Sequence, residues 1–405
     1  MRNLDSLLKL RPIGIALCFF AFAALRLSSS PTELPAGHTT FTMPFAYIDN
    51  RVFVEVHLDG KGPYHFILDT GADLALSDRV ARELKLAIED AGETSGVGEH
   101  RQRAGRARIP ELTLGDLRLT DLDAYVLSDN DQSNVFGTKP VDGILGQPVF
   151  ERLVVKHEYA NRRLVFTDPK KFAYSGTGTI IPIDRPVQIP VIDAQLDGVP
   201  GRFGVDTGAR SSLLLYGPFC ESNHLREKYN AHFEGVTGWG IGGPVRSLLA
   251  RAHEFQLSKL TIHDPVIRIS TQKSGLTTSS SMAGLIGPDI LSQFDVTFDY
   301  SRHRMILEPN SNYGRSDSYD RAGVWMGQGN GTFTAIDVIP GGPAAQAGLQ
   351  TGDIIFAIDG QPTRDLVLPD VRERIRRTPP GQKLTLQIES GGTRRTITLI
   401  LRDLV

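Results

Sequence analysis

Two aspartates occupy the same four-residue motif, Asp-Thr-Gly-Ala, at Asp69 and at Asp206. Each motif follows a short apolar stretch, at 66–68 and at 203–205. A lone carboxylate cannot serve as acid and base together, but two carboxylates within hydrogen-bonding distance retain one proton between them. One member can then deprotonate a water while the other donates to a carbonyl oxygen. The repeated motif therefore predicts a pair of aspartates that activates water.

The other residues of the motif suit this chemistry. Thr70 and Thr207 carry hydroxyls that can hold the two loops by hydrogen bonds. Gly71 and Gly208 permit tight backbone geometry and close approach, and the alanines are small enough for two loops to meet. A single such motif could be a plain strand-to-turn junction. Its repetition in equivalent places favours the catalytic interpretation.

The motifs lie within an internal duplication. Three blocks recur in the same order: 57–77 with 195–215, 111–114 with 254–257, and 141–166 with 282–307. Most apolar runs are short, rich in β-branched and aromatic residues, and bounded by Asp-Gly or Gly-Pro turns. Helical periodicity is scarce, with 79–86 and 148–153 as the best short candidates. The pattern predicts a mainly β protein built from two similar lobes, 38–175 and 176–310.

The duplicated residues resemble the retropepsin and pepsin-like aspartic proteases over about residues 45–310. Each Asp-Thr-Gly-Ala motif is followed later by the apolar-apolar-Gly element of that family, at 144–146 and 285–287. Two such halves form one β-barrel active site in the family, and this chain carries both. The resemblance implies that Asp69 and Asp206 are the catalytic pair, with Thr70 and Thr207 interlocked beneath them. It implies neither a metal nor another cofactor.

The resemblance also suggests residues that contact substrate. The family closes flap hairpins over its substrate, and two glycine-rich segments suit such lids: 92–105 around Gly98 and 235–245 around Gly240. Whether one flap or both act stays open. Asp73 follows the first motif, where the family uses an Asp against the substrate backbone. Arg210 replaces it in the second copy and cannot accept a hydrogen bond. We hypothesise that Arg210 favours an acidic substrate group.

The C-terminal part is a separate module. Residues 311–319 are polar and lack apolar periodicity, which indicates a linker. Residues 320–405 resemble a bacterial-type PDZ α+β domain, with a Pro-Ala-x-x-Ala-Gly-Leu-x-x-Gly-Asp-x-Ile pattern at 343–355. PDZ domains bind peptide C-termini through backbone N–H groups of a loop. The resemblance assigns that loop to Gly323, Val324 and Trp325, beside a helix at 365–376. The alternative is a domain that only packs on the protease.

The N-terminus resembles an export signal. Basic residues at Arg2, Lys9 and Arg11 precede an apolar run at 13–25, which is short for a membrane span. We assign 1–37 to a signal peptide, with an uncleaved membrane anchor as the alternative. The expected location is periplasmic or secreted. Only Cys220 would remain after processing, so no intrachain disulfide is expected.

Composition excludes some classes of partner. The formal net charge is −2 and the pI is about 6.6, so nothing favours nucleic acid. The histidines lack metal-ligand spacing. The sequence thus predicts a monomeric, exported aspartic endopeptidase that acts on peptides or proteins. Its PDZ domain would bind a C-terminal peptide and either recruit substrate or gate the cleft. A non-catalytic envelope adaptor of the same fold is the alternative. A hydrolase with the same dyad and a narrow nonprotein substrate is less favoured.

Overall fold

The computed structural model describes residues 32–128, 141–185 and 189–405. These residues form two nine-stranded sheets, a six-stranded sheet that joins them, and a further six-stranded sheet at the C-terminus. The chain is mainly β with a PDZ domain, as the sequence predicts. The predicted division between lobes, after residue 175, falls between the twelfth and thirteenth strands.

The first lobe contains twelve strands and two short helices. They are β1 (Thr32–Glu33), β2 (Thr40–Pro44), β3 (Ala46–Ile48), β4 (Arg51–Leu58), β5 (Lys61–Leu68), β6 (Ala75–Ser77), α1 (Asp78–Glu83), β7 (Glu89–Thr94), β8 (Gln102–Leu114), β9 (Leu117–Leu127), β10 (Gly143–Leu145), α2 (Gln147–Phe150), β11 (Val154–Glu158) and β12 (Arg163–Thr167). The main sheet has the order β1-β9-β6-β10-β5-β4-β8-β7, with β3 paired to β4. In β4, Val54, Val56 and Leu58 are buried while Glu55 and His57 are exposed. This alternation is the period-two pattern of a half-buried strand.

The two predicted helices of this lobe are shorter than the sequence suggests. The helix α1 begins after Ser77, whose hydroxyl oxygen accepts the Val80 N–H at 3.3 Å. It ends at Glu83, and Lys85 just beyond it has a positive φ of 57° that interrupts the helical path. The helix α2 covers only Gln147–Phe150 of the region near 148–153.

The second lobe repeats this arrangement. Its elements are β13 (Thr179–Pro182), β14 (Val191–Leu196), β15 (Val199–Val205), β16 (Leu213–Leu215), α3 (Gly217–Ser222), α4 (Leu225–Lys228), β17 (Phe233–Gly240), β18 (Gly243–Arg251), β19 (Glu254–Leu257), β20 (Leu260–His263), β21 (Val266–Ser270), β22 (Gly284–Ile286), α5 (Pro288–Leu291), β23 (Phe294–Asp299) and β24 (Arg304–Pro309), with 3₁₀ turns at Leu276–Thr278 and Tyr300–Arg302. The main sheet has the order β17-β18-β21-β16-β22-β15-β14-β19-β20. Cys220 is buried and free.

A sheet shared by both lobes brings the two motifs face to face. Its order is β13-β24-β23-β11-β12-β2, so the lobes meet where β11 pairs with β23. There Lys156 lies opposite Thr297, its own counterpart in the duplicated blocks. The flanking pairs, Val155 with Phe298 and His157 with Val296, exchange equivalent positions. This register places a local two-fold axis between the lobes.

The C-terminal module has its own core and docks on the second lobe. It comprises β25 (Val324–Gly329), β26 (Thr332–Val338), α6 (Pro343–Gln346), β27 (Ile354–Ile358), β28 (Gln361–Pro362), a 3₁₀ turn (Thr363–Asp365), α7 (Leu368–Arg377), β29 (Lys383–Ser390) and β30 (Thr393–Ile400). Asp337 accepts the Val236 N–H at 2.7 Å and pairs with Arg246 at 3.1 Å. The module therefore contacts the β17–β18 hairpin.

The polar segment 311–319 is anchored to the second lobe rather than free. Asp317 is partly buried, and its Oδ2 accepts the Val266 N–H at 2.8 Å and the Ser212 hydroxyl. The Tyr313 hydroxyl donates to the Thr261 carbonyl at 3.1 Å. The sequence signal for a linker was polarity. Here these polar groups make hydrogen bonds to the lobe and fix the position of the PDZ module.

The folded part of the chain begins earlier than residue 38. Thr32 and Glu33 pair with Leu119 and Arg118 as an edge strand, so the lobe includes residues that the sequence analysis assigned to the N-terminal segment. The predicted basic and apolar stretch itself lies outside the described residues. Among the residues that the structure describes, no helix is long and apolar enough to cross a membrane.

Candidate active site

Each motif aspartate lies at the end of a buried strand and is held by a neighbouring parallel strand. The strand β5 leads into Asp69, whose N–H donates to the Leu145 carbonyl of β10 at 3.0 Å. The strand β15 leads into Asp206, whose N–H donates to the Ile286 carbonyl of β22 at 2.9 Å. The apolar-apolar-Gly segments thus hold the two motifs in equivalent positions.

The two threonines of the motifs interlock. The Thr70 hydroxyl donates to the Val205 carbonyl at 2.6 Å, and the Thr207 hydroxyl donates to the Leu68 carbonyl at 2.9 Å. Each hydroxyl also accepts the other residue's backbone N–H, at 3.0 and 3.1 Å. Both side chains are fully buried. Four hydrogen bonds therefore fix the loops against each other where water cannot compete.

The two carboxyl groups meet above this junction. A Cβ built on Gly71 would lie 3.3 Å from the Oδ1 of Asp69 and 3.5 Å from the Cγ of Asp206, so the two carboxyl groups are neighbours, and each residue is partly exposed. The Oδ1 atom of Asp69 accepts the Gly71 N–H at 2.7 Å. The Oδ1 atom of Asp206 accepts the N–H groups of Gly208 and Ala209, both at 2.9 Å. A Cβ at Gly208 would overlap the Asp69 carboxylate, so glycine is required for this approach.

Both carboxyl groups are easier to protonate than an ordinary aspartate. Burial raises the pKa of Asp69 and is also the main cause that raises the pKa of Asp206. The negative charge of Asp69 raises the pKa of Asp206 further. The pair can therefore hold one proton near neutral pH, and its two ionisation steps belong to the pair. This state provides one acid and one base at the same place.

A buried arginine beside the pair escaped the sequence analysis. Arg51 is 4% exposed, and its Nε donates to the Gly208 carbonyl at 2.8 Å. Its Nη1 pairs with Asp49 at 3.2 Å. The positive charge of Arg51 lowers the pKa of both Asp69 and Asp206, opposing the effect of burial. The only sequence signal was a charged residue directly before the apolar run Val52–Val54 of β4.

Asp49 and Asn50 form the turn that delivers this arginine. Both have positive φ angles, 50° and 63°, as in a two-residue type I′ hairpin turn, for which Asp and Asn are well suited. The Asn50 Nδ2 donates to the Arg210 carbonyl at 3.0 Å. The turn between β3 and β4 of the first lobe thus supports the motif loop of the second.

The two predicted flaps meet at their tips. The Gly98 N–H donates to the Ile241 carbonyl at 3.0 Å, and the His100 N–H donates to the Gly242 carbonyl at 3.0 Å. Gly240 lies against Val97, where a Cβ would not fit. The structure thus brings the segments around Gly98 and Gly240 together. Their contact with substrate stays a prediction.

A third segment holds the first flap. The Leu276 N–H donates to the Gly96 carbonyl at 3.0 Å, and the Lys273 N–H donates to Glu99 at 2.5 Å. A Cβ at Gly275 would overlap the Gly98 carbonyl. The sequence analysis did not single out segment 273–276, because nothing in its residue types indicates a contact with the distant flap around Gly98.

The two residues that follow the motifs have different surroundings. Asp73 lies near Tyr125, whose pKa is raised by burial and then by the charge of Asp73. Arg210 donates from Nε to Asp49 at 2.7 Å, and its guanidinium lies 5.0 Å from the centre of the Trp325 ring. Arg210 is therefore engaged at the junction with the PDZ module. A role for either residue in substrate binding stays a prediction.

The predicted carboxylate-binding loop of the PDZ module already holds an internal carboxylate. The Asp320 Oδ1 accepts the N–H groups of Ala322 and Gly323 at 2.9 and 2.7 Å. Val324 begins β25, and Trp325 follows it against Arg210 and Arg372. Asp320 thus occupies the Gly323 N–H, and binding of a peptide carboxylate at this loop stays a prediction.

The helix beside the groove starts later than the sequence suggests. It covers Leu368–Arg377, because a 3₁₀ turn occupies Thr363–Asp365. The Arg372 Nη2 of α7 donates to the Met326 carbonyl of β25 at 2.7 Å.

Within the described ranges, no group of three or more histidine, cysteine or acidic side chains is arranged to bind a metal.

Comparison with known proteins agrees with both modules. Residues 54–149 match the family model of an aspartyl protease, and residues 335–390 match that of a PDZ domain. The crystal structure of aspartic proteinase from Irpex lacteus aligns with a TM-score of 0.45 and 14% identity, over 68% of this chain and 99% of that chain.

One curated relative aligns over a short region. It is the "Probable periplasmic serine endoprotease DegP-like" of Pseudomonas fulva (strain 12-X), 38% identical over 60 residues. This region is 15% of the present chain and 12% of the relative, so the chain spans a small part of that protein's length. The family matches nevertheless support a peptidase: the chain carries an aspartyl protease family region joined to a PDZ domain.

Proposed function

We propose that the protein is an aspartic endopeptidase whose catalytic pair is Asp69 and Asp206. The observation that carries this proposal is the contact between the two carboxyl groups above the interlocked Thr70 and Thr207. A water between the carboxyls loses a proton to the ionised aspartate and attacks the peptide carbonyl carbon, while the protonated aspartate donates to the carbonyl oxygen. In the resulting gem-diol the carbon–nitrogen bond breaks as the first aspartate passes its proton to the departing amine nitrogen. A hydroxyl of the gem-diol returns a proton to the second aspartate, and no covalent enzyme intermediate forms.

The surroundings of the pair support this reaction. Burial raises the pKa of both aspartates and so favours a shared proton. The positive charge of Arg51 lowers both pKa values and partly offsets that rise. The flap tips span the cleft, so they can hold an extended peptide and restrict water once they close over it. Their mutual hydrogen bonds through Gly98 and Ile241 must loosen for substrate to enter.

The PDZ module, in our proposal, gates the cleft as well as recruiting substrate by C-terminal peptides. Two contacts favour gating. Asp337 binds the β17–β18 hairpin, which forms the second flap, and Arg372 reaches Asp49 at 3.1 Å, beside the support of the second motif loop. A peptide that displaces Asp320 from its loop would bind next to the surface of the PDZ module that carries these two contacts, and could thereby alter them.

The assembly and location follow from the same proposal. Both half-sites belong to one chain, so a monomer suffices for activity. The basic and apolar start of the sequence and the periplasmic name of the DegP-like relative favour export, with a signal peptide or membrane anchor at the N-terminus.

Cleavage of a diverse peptide mixture from acidic to neutral pH tests the proposal. Wild type is compared with Asp69→Asn and Asp206→Asn, and Asp116→Asn is the matched control because Asp116 is exposed in the turn between β8 and β9. We expect cleavage by wild type and the control only. An adaptor of the same fold would instead bind peptides equally well with and without Asp69 and would cleave none.

A further inference from the structure

Arg51, which belongs to the first lobe, binds the motif loop of the second lobe. It begins β4, is 4% exposed, and donates from Nε to the Gly208 carbonyl at 2.8 Å. Gly208 in turn lies against both carboxyl groups. Its N–H donates to the Asp206 Oδ1 at 2.9 Å, and a Cβ at this position would overlap the Asp69 carboxylate. Arg51 therefore holds the peptide unit on which the geometry of the pair depends.

The carboxylate that orients Arg51 is shared with two other arginines. Asp49 contacts the Arg51 Nη1 at 3.2 Å, the Arg210 Nε at 2.7 Å and the Arg372 Nη1 at 3.1 Å. Burial opposes the ionisation of Asp49, but the three arginines hold its pKa well below its usual range. Three positive charges thus face one negative charge. Asp49 cannot neutralise Arg51 completely, so a net positive charge remains beside the motif loop.

The two halves of the duplication differ at this point. Gly71 is the counterpart of Gly208, and its neighbours include the apolar side chain of Ile189, whose Cδ1 would lie 3.4 Å from a Cβ on Gly71. One motif loop is therefore bound by a buried cation, while the other lies against a hydrocarbon side chain. The repeat alone would give both loops similar surroundings, so the cation is a separate feature of this chain.

We propose that Arg51 is a positioning residue of the dyad, which fixes the Gly208 peptide and sets the pH range in which the pair holds a single proton. This inference rests on the proposed endopeptidase function and adds the residue that controls its pH dependence. Arg51 is buried and acts through the Gly208 peptide and through its charge.

The direction of the effect follows from the charge. Burial raises the pKa of Asp69 and of Asp206, and the positive charge of Arg51 lowers both. The reaction needs one ionised and one protonated carboxyl, so the acid limb of the pH profile reports the first ionisation of the pair and the alkaline limb the second. Loss of the Arg51 charge should therefore move both limbs to higher pH.

The other titratable groups that face the pair do not change charge in this range. Tyr216 at the end of β16 interacts with the charge of Asp206, and Tyr300 with that of Asp69. Burial raises the pKa of both phenols, so they stay neutral while the pair titrates. A shift of both limbs on replacing Arg51 is then a property of the arginine.

Three variants of the full-length protein separate charge from position. Arg51→Gln removes the charge, whereas Arg51→Lys keeps the charge and loses the Nε donor. Arg268→Gln is the matched control, because Arg268 is also buried, at 7% exposed, and its charge interacts with Asp289 and Asp317 of the second lobe and the anchored segment. Each variant is assayed for peptide cleavage across the pH range, with kcat and KM determined separately.

We expect both limbs of kcat/KM in Arg51→Gln to move upward by about one pH unit. Arg51→Lys should retain the limbs of wild type, and its kcat should fall by about tenfold because a hydrogen bond that fixes the Gly208 peptide is lost. KM should change little, since Arg51 is buried. Arg268→Gln should leave both limbs in place.

A titration that needs no turnover keeps this test independent of the proposed activity. The protein is labelled with ¹³C at the aspartate carboxyl carbons and followed by NMR, with Asp69→Asn and Asp206→Asn to assign the pair. The same upward movement is expected in Arg51→Gln, whereas absence of cleavage by wild type would count against the endopeptidase function alone. Where Arg51→Gln does not fold, Arg51→Lys decides. An unmoved titration in Arg51→Gln, an equal movement in Arg268→Gln, or a wild-type kcat in Arg51→Lys would overturn the proposal.

Discussion

Thr70 and Thr207 each donate a hydroxyl hydrogen bond to the strand that precedes the other's motif, at 2.6 and 2.9 Å. The carbonyls that accept them belong to Val205 and Leu68, the residues directly before Asp206 and Asp69. The position of each aspartate is therefore fixed by the other half of the duplication. The two lobes form a shared site rather than two adjacent ones.

Removal of one threonine hydroxyl should lower the free energy of unfolding of the protein. Thr207→Ala leaves the Leu68 carbonyl and the Thr70 N–H without partners in a buried place. We expect a loss of about 2 to 4 kcal/mol in the free energy of unfolding, from two buried groups. Denaturant unfolding measures it. Thr207→Ser keeps the hydroxyl and should retain most of the stability; equal losses in both variants would contradict the hydrogen-bond account.

Gly208 should be essential for activity because its missing side chain lets Asp69 approach. A methyl group there overlaps the Asp69 carboxylate, so Gly208→Ala should separate the pair and lower kcat about 100-fold or more. Gly217→Ala is the control, since its Cβ would meet its nearest atom at 3.8 Å. Peptide cleavage by purified variants tests this, and activity in Gly208→Ala near the wild-type level would rule it out.

The dyad should make stability fall as pH rises. The folded-state pKa of Asp206 is raised, by burial and then by Asp69, to about 8. A carboxyl with a raised folded pKa stabilises the fold below its unfolded pKa, and that stabilisation is lost as pH rises through the folded value. Wild type should lose unfolding free energy relative to Asp206→Asn between about pH 4 and pH 8. Parallel curves for both proteins across that range would refute the shifted pKa.

The flap tips should require glycine at the point where they meet. A Cβ at Gly98 overlaps Gly242, so Gly98→Ala should force the tips apart and raise KM for peptides with a smaller change in stability. Gly238→Ala in the second flap is the matched control, because its nearest contact would be an ordinary 3.6 Å. Steady-state kinetics on one peptide tests both variants. An unchanged KM in Gly98→Ala would show that this contact does not govern substrate entry.

Asp49 should be central to the junction of lobes and PDZ module. Its carboxylate contacts Arg51, Arg210 and Arg372, all within 3.2 Å. Asp49→Asn removes the negative charge that these three arginines share and should cost about 3 to 5 kcal/mol in unfolding free energy. The same change at Asp90, an exposed partner of Arg103, should cost about 1 kcal/mol or less. Calorimetry of the two variants compares them, and similar losses would contradict the role of Asp49.

The sequence predicted those features that depend on local pattern and repetition. The motif strands and the apolar-apolar-Gly partners of Asp69 and Asp206 lie where the duplicated blocks indicate, because period-two burial and Asp-Gly turns are local signals. The hairpins at 92–105 and 235–245 were indicated by their glycine content together with the family resemblance. The PDZ fold was expected from the resemblance of residues 320–405 to that family, carried by the pattern at 343–355.

Features that depend on contacts between distant segments could not be predicted. Asp49, Arg210 and Arg372 form one network from three parts of the chain, and a charged residue near an apolar strand is more often solvated than buried. The linker appeared free because polarity does not reveal which lobe atoms Asp317 will bind. Segment 273–276 supports the first flap through backbone groups that carry no sequence signal.

The most direct test of the central claim combines single, double and mixed variants in one peptide-cleavage assay. If Asp69 and Asp206 form one intramolecular pair, Asp69→Asn, Asp206→Asn and the double variant should all fall by about the same factor, on the order of 1000-fold. A mixture of the two single variants should stay equally inactive. Independent, additive losses, or activity restored on mixing, would contradict a single site within one chain.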